Sequence, residues 1–331
     1  MTDESTIVVY AVGGNALSDP TSGEPVGLAL AAVVEDIIGL SELGHRIVLT
    51  HGNGPQVGRL LVMEERARRA WSSDANGASA ELQVEQRTGI HAWVAATQSM
   101  MGERLASSLE SAFSARDIEM TCTVLTTRVE VDRRDPGFAS PSKPVGIVLT
   151  DDADVPSEWH IGQTAVGRRR LVASPRPIRI LEEDAIRALL MQDGILICAG
   201  GGGIPVTRHS SGQYRGVDAV VDKDRTSGLL AGSLNAAAFI ITTAIDSIRI
   251  DFGRPTESAI DELPLLDAIK MVEEGVFPPG SMGPKVEAMV RAKRLHPRMV
   301  VALCSPGHAI DALEGRAGTR IVTGWGDLLT N

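Results

Sequence analysis

The sequence predicts an α/β fold in which a mainly parallel sheet is covered by helices on both faces. Two observations carry this. Short β-branched apolar runs alternate with longer stretches of helical periodicity, the pattern of strands joined by right-handed crossovers. A chain of 331 residues that is 43% hydrophobic also supplies enough apolar material for one large core.

The first strand is expected at 7–12, followed by a helix over 28–43 that stops at Gly44, which makes a βα unit. Further strands are expected at 47–50, 122–125, 195–199, 238–243, 300–304 and 320–323. The stretch 127–170 breaks the rhythm with prolines and acidic residues. Because it also holds Phe138, Val145, Ile147, Val148 and Trp159, it is read as a small lid-like subdomain inserted in a single domain rather than as a linker. Arg168, Arg169 and Arg170, which close that stretch, read as a solvated basic run.

Acidic residues outnumber basic ones by 42 to 32, a net charge of -10 that argues against nucleic acid as the partner. Cys122, Cys198 and Cys304 lie far apart in apolar surroundings and are expected as buried free thiols of a reducing compartment. No Cys/His grouping has metal-ligand spacing. The polar N-terminus does not resemble a signal peptide and no apolar run reaches the ~18 residues a membrane helix needs, so a cytoplasmic protein is expected.

Five small-residue turns carry the chemistry. Gly13-Gly14-Asn15-Ala16-Leu17 follows the first strand, and His51-Gly52-Asn53-Gly54-Pro55-Gln56 the second. Such turns bring backbone N–H groups close to a bound anion, and a following helix adds its dipole. His51 itself is expected as a packed turn residue. Four consecutive glycines at 200–203, including Gly201 and Gly202, follow a third strand, and so many in one turn point to close approach of the backbone to a ligand. Asp222-Lys223-Asp224 opens an apolar helix; alone it would be an aspartate-capped, solvated helix start. Gly280-Ser281-Met282-Gly283-Pro284-Lys285 places another lysine in the first turns of a helix, where the dipole disfavours a cation without an anionic partner. Only five lysines occur in the chain, which makes two in such places notable. No lysine follows a glycine, so the Walker sequence is absent, and no turn fits the nicotinamide-binding fingerprint.

Together these turns resemble those of the amino acid kinase family, and more narrowly of carbamate kinases. The resemblance runs through the His51 to Gln56 and Gly280 to Lys285 strings, the Val131-Asp132, Pro141 to Gly146 and Ser174-Pro175-Arg176-Pro177 stretches, and the Asp222 turn. It implies a three-layer αβα sandwich with a protruding subdomain, a homodimer, and reversible transfer of a phosphoryl group between ATP and carbamate. ATP/ADP and Mg2+ are the implied cofactors, and arginine or purine breakdown the implied setting. Carbamate already bears an anionic oxygen, so alignment and charge neutralisation carry the chemistry and no general base is needed.

On that resemblance Lys223 and Lys285 are assigned to the moving phosphoryl group and Asp224 to orienting them. Gly13, Gly14, Asn15, Gly52, Asn53, Gly54, Gly201 and Gly202 would line the acceptor and γ-phosphate. Thr243, Ala244, Asp246, Ser281, Met282 and Gly283 would lie toward the nucleotide. Arg133 stands where the family has a lysine that reaches the substrate. Ala244 replaces a family aspartate, Arg249 a tyrosine, and Ile147-Val148-Leu149 a Pro-Phe-Tyr string. Two other readings follow from these departures: a kinase of another small carboxylate or carbamoyl compound, and a weakly catalytic ligand-binding or regulatory paralogue.

Overall fold

The computed structural model describes residues 6–13, 26–73, 88–151, 153, 155–164, 166–251, 253–278 and 282–324. The chain begins with β1 (Ile7–Val12), α1 (Val26–Glu42), β2 (Arg46–His51), α2 (Gly54–Ser73) and α3 (Ile90–Ser114). It continues through β3 (Cys122–Leu125), β4 (Arg128–Val131), β5 (Lys143–Leu149), β6 (His160–Thr164), β7 (Gly167–Val172) and β8 (Pro177–Ile180). Next come α4 (Glu183–Leu189), β9 (Ile195–Cys198), β10 (Ile204–Arg208), β11 (Tyr214–Gly216), α5 (Lys223–Ser233) and β12 (Ala238–Thr242). The last elements are β13 (Ile248–Ile250), β14 (Ser258–Ile260), β15 (Glu262–Pro264), α6 (Leu265–Glu273), α7 (Met282–Leu295), β16 (Val300–Cys304), α8 (Ala309–Glu314) and β17 (Thr319–Val322).

Eight strands form the central sheet in the order β15-β17-β16-β12-β1-β2-β9-β3. The six from β16 to β3 run parallel, and only the β16–β17 pairing is antiparallel. Central strands are apolar on both faces because each face is covered. Val9, Ala11, Val48, Leu196, Phe239 and Ile241 pack with α5, α6 and α7 residues, whereas their neighbours Val8, Tyr10, Ile47, Leu49, Ile197 and Ile240 pack with α1, α3 and α8 residues. Alternate side chains thus feed two cores on opposite sides of one sheet, the expected αβα sandwich. Full burial of each large apolar side chain is worth about 1.5–3 kcal/mol.

A four-stranded sheet, β11-β10-β4-β8, flanks this body, and β5-β7-β6 forms a separate antiparallel sheet over Lys143–Val172. The latter rests on α2 where Gly58 meets Gly146: a Cβ on Gly58 would lie 1.9 Å from Gly146 Cα, and Gly146 itself has φ +76°. Val57, Leu61, Val94, Val145 and Val172 fill the seam.

Several local expectations shift. Ala199 was expected to end β9, but it adopts φ 51° and begins the glycine turn instead. β12 stops at Thr242, one residue before the expected end, and β17 starts one residue early at Thr319. The Arg168–Arg170 run is not simply solvated: it lies in β7, where the Arg169 guanidinium donates to Gly146 O at 2.6 Å and Arg170 stacks 4.3 Å from the Trp159 ring centroid. Cys198 and Cys304 are buried free thiols, but Cys122 is only partly covered because β3 is an edge strand. No helix among the described residues is long and apolar enough to cross a membrane.

Candidate active site

Parallel strands end at one edge of the sheet, so Gly13 at the end of β1 and the turns after β2, β9 and β12 are brought there together. A helix leading into the next parallel strand must itself start at that edge, which places the first residues of α5 (before β12) and α7 (before β16) beside the same turns.

Asp222 caps α5 by accepting from the backbone N–H of Asp224 (2.9 Å) and Arg225 (3.3 Å). The next residue, Lys223, donates from Nζ to Asp224 Oδ1 at 2.7 Å, and Lys285 of α7 donates to Asp224 Oδ2 at 2.8 Å. Lys143, at the start of β5, donates to Asp222 Oδ2 at 2.5 Å. These five side chains line a cleft of about 200 Å³ with Gly52, Asn53, Gly54, Gly201 and Pro284. Three ammonium groups meet two carboxylates there, which leaves one positive charge unmatched in a chain that is strongly acidic overall.

The carboxylates stay ionised despite deep burial. Burial alone would raise the Asp224 carboxyl, but Lys223 and Lys285 outweigh it and hold it well below the usual range. For Asp222 burial is likewise outweighed, chiefly by Lys143. Burial depresses Lys223 in spite of its partner, whereas for Lys285 the Asp224 charge overcomes burial and raises it. The two lysines on one carboxylate are therefore inequivalent.

Buried polar bonds fix the turns. Asn53 donates through Nδ2 to Thr97 Oγ1 of α3 at 2.8 Å, so that amide nitrogen is held by protein. Gln98, one residue on, donates to Gly200 O at 2.8 Å and accepts from Thr127 N at 2.5 Å. Thr226 of α5 donates to Gly202 O at 2.9 Å, and Ser227 lies 2.6 Å from Thr50 of β2. The Cβ positions that the four glycines leave empty face the protein itself, while Gly201 also lines the cleft. A side chain on Gly200 would strike the His51 ring, on Gly201 the Asn53 amide, on Gly202 Val221 O and on Gly203 Val129. With φ of +64° and +84° at Gly201 and Gly202, the turn lets β2, β4 and the α5 start converge. His51, almost wholly buried, is pushed down to about 4 by burial, with the Lys223 charge adding, and so is neutral near pH 7.

Of the predicted residues, Lys223, Asp224, Lys285, Gly52, Asn53, Gly54 and Gly201 share this cleft. Gly202 lies behind it against Val221, and Gly13 packs on β12, where its Cβ would stand 2.6 Å from Thr242 O. Arg133 lies exposed after β4 and does not line the cleft. Thr243, Ala244 and Asp246 follow β12; Asp246 is exposed and paired with Arg249 at 3.2 Å, which also reaches Glu257 at 3.1 Å. Met282 and Gly283 start α7, with Gly283 N donating to Pro278 O at 2.9 Å. Gly14, Asn15 and Ser281 lie outside the described residues. The sequence reading missed Lys143, although lysine scarcity marks it as clearly as it marks Lys223 and Lys285: three of the chain's five lysines converge here. Gln98 and Thr97, on a helix far from any glycine turn, gave no comparable signal.

A cationic cleft at the carboxyl edge of a parallel sheet suits a phosphorylated ligand, as an α/β phosphotransferase requires. Residues 6–302 match the amino acid kinase family, and the chain belongs to that family. It is similar to the carbamate kinase-like protein YahI of Escherichia coli K12, with 36% identity over 96% of this chain and 98% of the relative. The carbamate kinase of Clostridium perfringens is 35% identical over 95% of this chain and 99% of its own. Among solved structures, carbamate kinase from Giardia lamblia bound to AMP-PNP superposes with a TM-score of 0.80 at 31% identity, over 97% of this chain and 99% of that one.

Proposed function

We propose that the protein is a carbamate kinase, interconverting ATP plus carbamate with ADP plus carbamoyl phosphate. The Lys223–Asp224–Lys285 cluster carries the reading: a shared, buried carboxylate holds two ammonium groups at a fixed spacing beside the glycine turns. An oxygen of carbamate forms the new bond to the γ-phosphorus as the bond to the bridging oxygen of ADP breaks; reversal sends the phosphoryl group back from the acyl phosphate. Charge on the moving group falls to Lys223 and Lys285, while Asp224 favours the charged form of each and holds both in place. Lys143 joins the cluster through the Asp222 cap and ties the small sheet to it.

Both cleft carboxylates are already engaged by lysines. In this reading Mg2+ therefore arrives on the nucleotide phosphates, where it supplies further charge neutralisation. The nucleotide side falls to the turns after β12 and before α7, with Thr243, Ala244, Asp246, Ser281, Met282 and Gly283; similarity to a carbamate kinase described as bound to AMP-PNP supports nucleotide use. We assign the enzyme to the cytoplasm, to arginine or purine breakdown, and to a homodimer, with the segment 127–170 as a lid-like insertion in one domain.

A second reading in the same class, a kinase of another small carboxylate, rests on Arg133 standing where the family has a lysine and on Ile147 and Val148, which lie exposed on the small sheet in place of family Pro and Phe. Turnover of carbamoyl phosphate beside acetyl phosphate, with ADP and Mg2+, separates the two. Preference for carbamoyl phosphate supports the first reading, and preference for acetyl phosphate replaces it with the second.

A further inference from the structure

A larger cavity, about 300 Å³, lies on the flank of α5 and α7, away from the lysine cleft. The two helices approach closely where α5 carries Gly228 and Gly232: a Cβ on Gly228 would stand 3.3 Å from Ala288 O, and one on Gly232 2.7 Å from His296 Nε2. Beside this contact the wall is mainly carbon, from Pro177, Leu229, Ala292 and Leu295. Arg176, Arg225 and Arg291 surround it with a single carboxylate, Glu287. One oxygen of Glu287 accepts from Arg176 at 2.6 Å and the other from Arg225 at 2.7 Å. Arg291, one turn farther along α7, is exposed and has no ion-pair partner among the described residues.

We propose that this cavity is a second binding site, for a small monocarboxylate with an apolar body. The apolar body would lie along Leu229, Ala292 and Leu295, and the carboxylate would meet Arg291 with Arg176. Its volume and lining, mostly apolar with a few convergent polar groups, are those of a small-molecule site. Arg176 and Arg225 already hold one carboxylate at this cavity, that of Glu287, through one oxygen each, so its guanidinium groups are disposed to engage a carboxylate. An occupant is also felt at the lysine cluster: Arg225 directly follows Asp224, and Glu287 lies two residues beyond Lys285. A ligand that draws Arg176 or Arg225 from Glu287 loosens the α5–α7 link next to the Asp224–Lys285 pair.

Isothermal titration of the full chain with hexanoate, and with hexanamide as its neutral counterpart, tests this without reference to kinase activity. Hexanoate is expected to bind in the millimolar range or tighter, with hexanamide roughly tenfold weaker, as loss of a charge-assisted contact requires. Arg291→Glu, a surface change, should abolish hexanoate binding while leaving the thermal midpoint unchanged, and Leu229→Trp, which fills the cavity, should do so independently. The proposal is overturned by absent binding, by equal binding of acid and amide, or by hexanoate binding that survives Arg291→Glu. It is equally overturned if Lys223→Ala removes the binding, which would place the acid in the lysine cleft, or if Arg291→Glu changes the sedimentation of the unliganded protein, which would make this face a contact between copies.

Discussion

Lys285 on α7 reaches Asp224 in the first turn of α5, 61 residues earlier in the chain, and takes the carboxylate oxygen that Lys223 leaves open. The carboxylate is nearly buried, so its removal strands two largely buried ammonium groups. Asp224→Ala is expected to destabilise the fold by roughly 3–5 kcal/mol, the usual result of breaking a buried ion pair from one side. Denaturant unfolding of the variant beside wild type measures it, and a loss under about 1 kcal/mol, typical of exposed pairs, contradicts the buried geometry.

Lys143 tests whether the small sheet contributes to the cleft. Lys143→Met removes the partner of Asp222 but leaves the α5 cap bonds to Asp224 and Arg225 in place. Loss of one positioned cation is expected to lower kcat/KM by about 10- to 1,000-fold. Circular dichroism should show the helices intact, and unchanged kinetics would confine Lys143 to tethering.

His51 predicts a pH dependence of stability. Its folded value, about 4, lies below the 6.5 of a free histidine, so the unfolded chain binds a proton first as pH falls. Its contribution is thus complete above pH 6.5 and is lost between there and about 4; a shift of that size is worth about 3 kcal/mol. Asp222 and Asp224, both held below ordinary carboxylates, extend the loss at lower pH, where the unfolded chain protonates them first. Urea unfolding from pH 7 to 4.5 follows the histidine step, and His51→Gln should flatten it.

Gly201→Ala introduces a Cβ 2.0 Å from the Asn53 amide at φ +64°. Strain of this kind costs about 1–3 kcal/mol, and the expected result is a lowered thermal midpoint with a larger loss of activity, because the clash is with a residue of the cleft. An unaltered midpoint would mean that the turn does not hold Asn53 as described.

How much was legible follows from where each residue sits. β1, β2, β9, β12 and β16 were readable because burial on both faces makes them continuous apolar runs. β11, β13, β14 and β15 are three residues long, and β7 reads Gly-Arg-Arg-Arg-Leu-Val, so neither carries a strand period; only Gly146 O and the Trp159 ring give those arginines a place inside. In the cleft, the glycine turns and two lysines were visible as local patterns. Lys143 belongs to a different sheet, and Gln98 acts on the Gly200 carbonyl across 102 residues. Contacts that depend on how sheets and helices meet have no local signature.

ATP formation from ADP, Mg2+ and carbamoyl phosphate, by wild type beside Lys223→Ala and Lys285→Ala, tests the central claim most directly. The account predicts robust turnover in the wild type and a fall of at least about 100-fold in either variant, each having lost a cation aimed at the moving phosphoryl group. A well-folded wild type with no turnover, or variants that match it, would contradict the account.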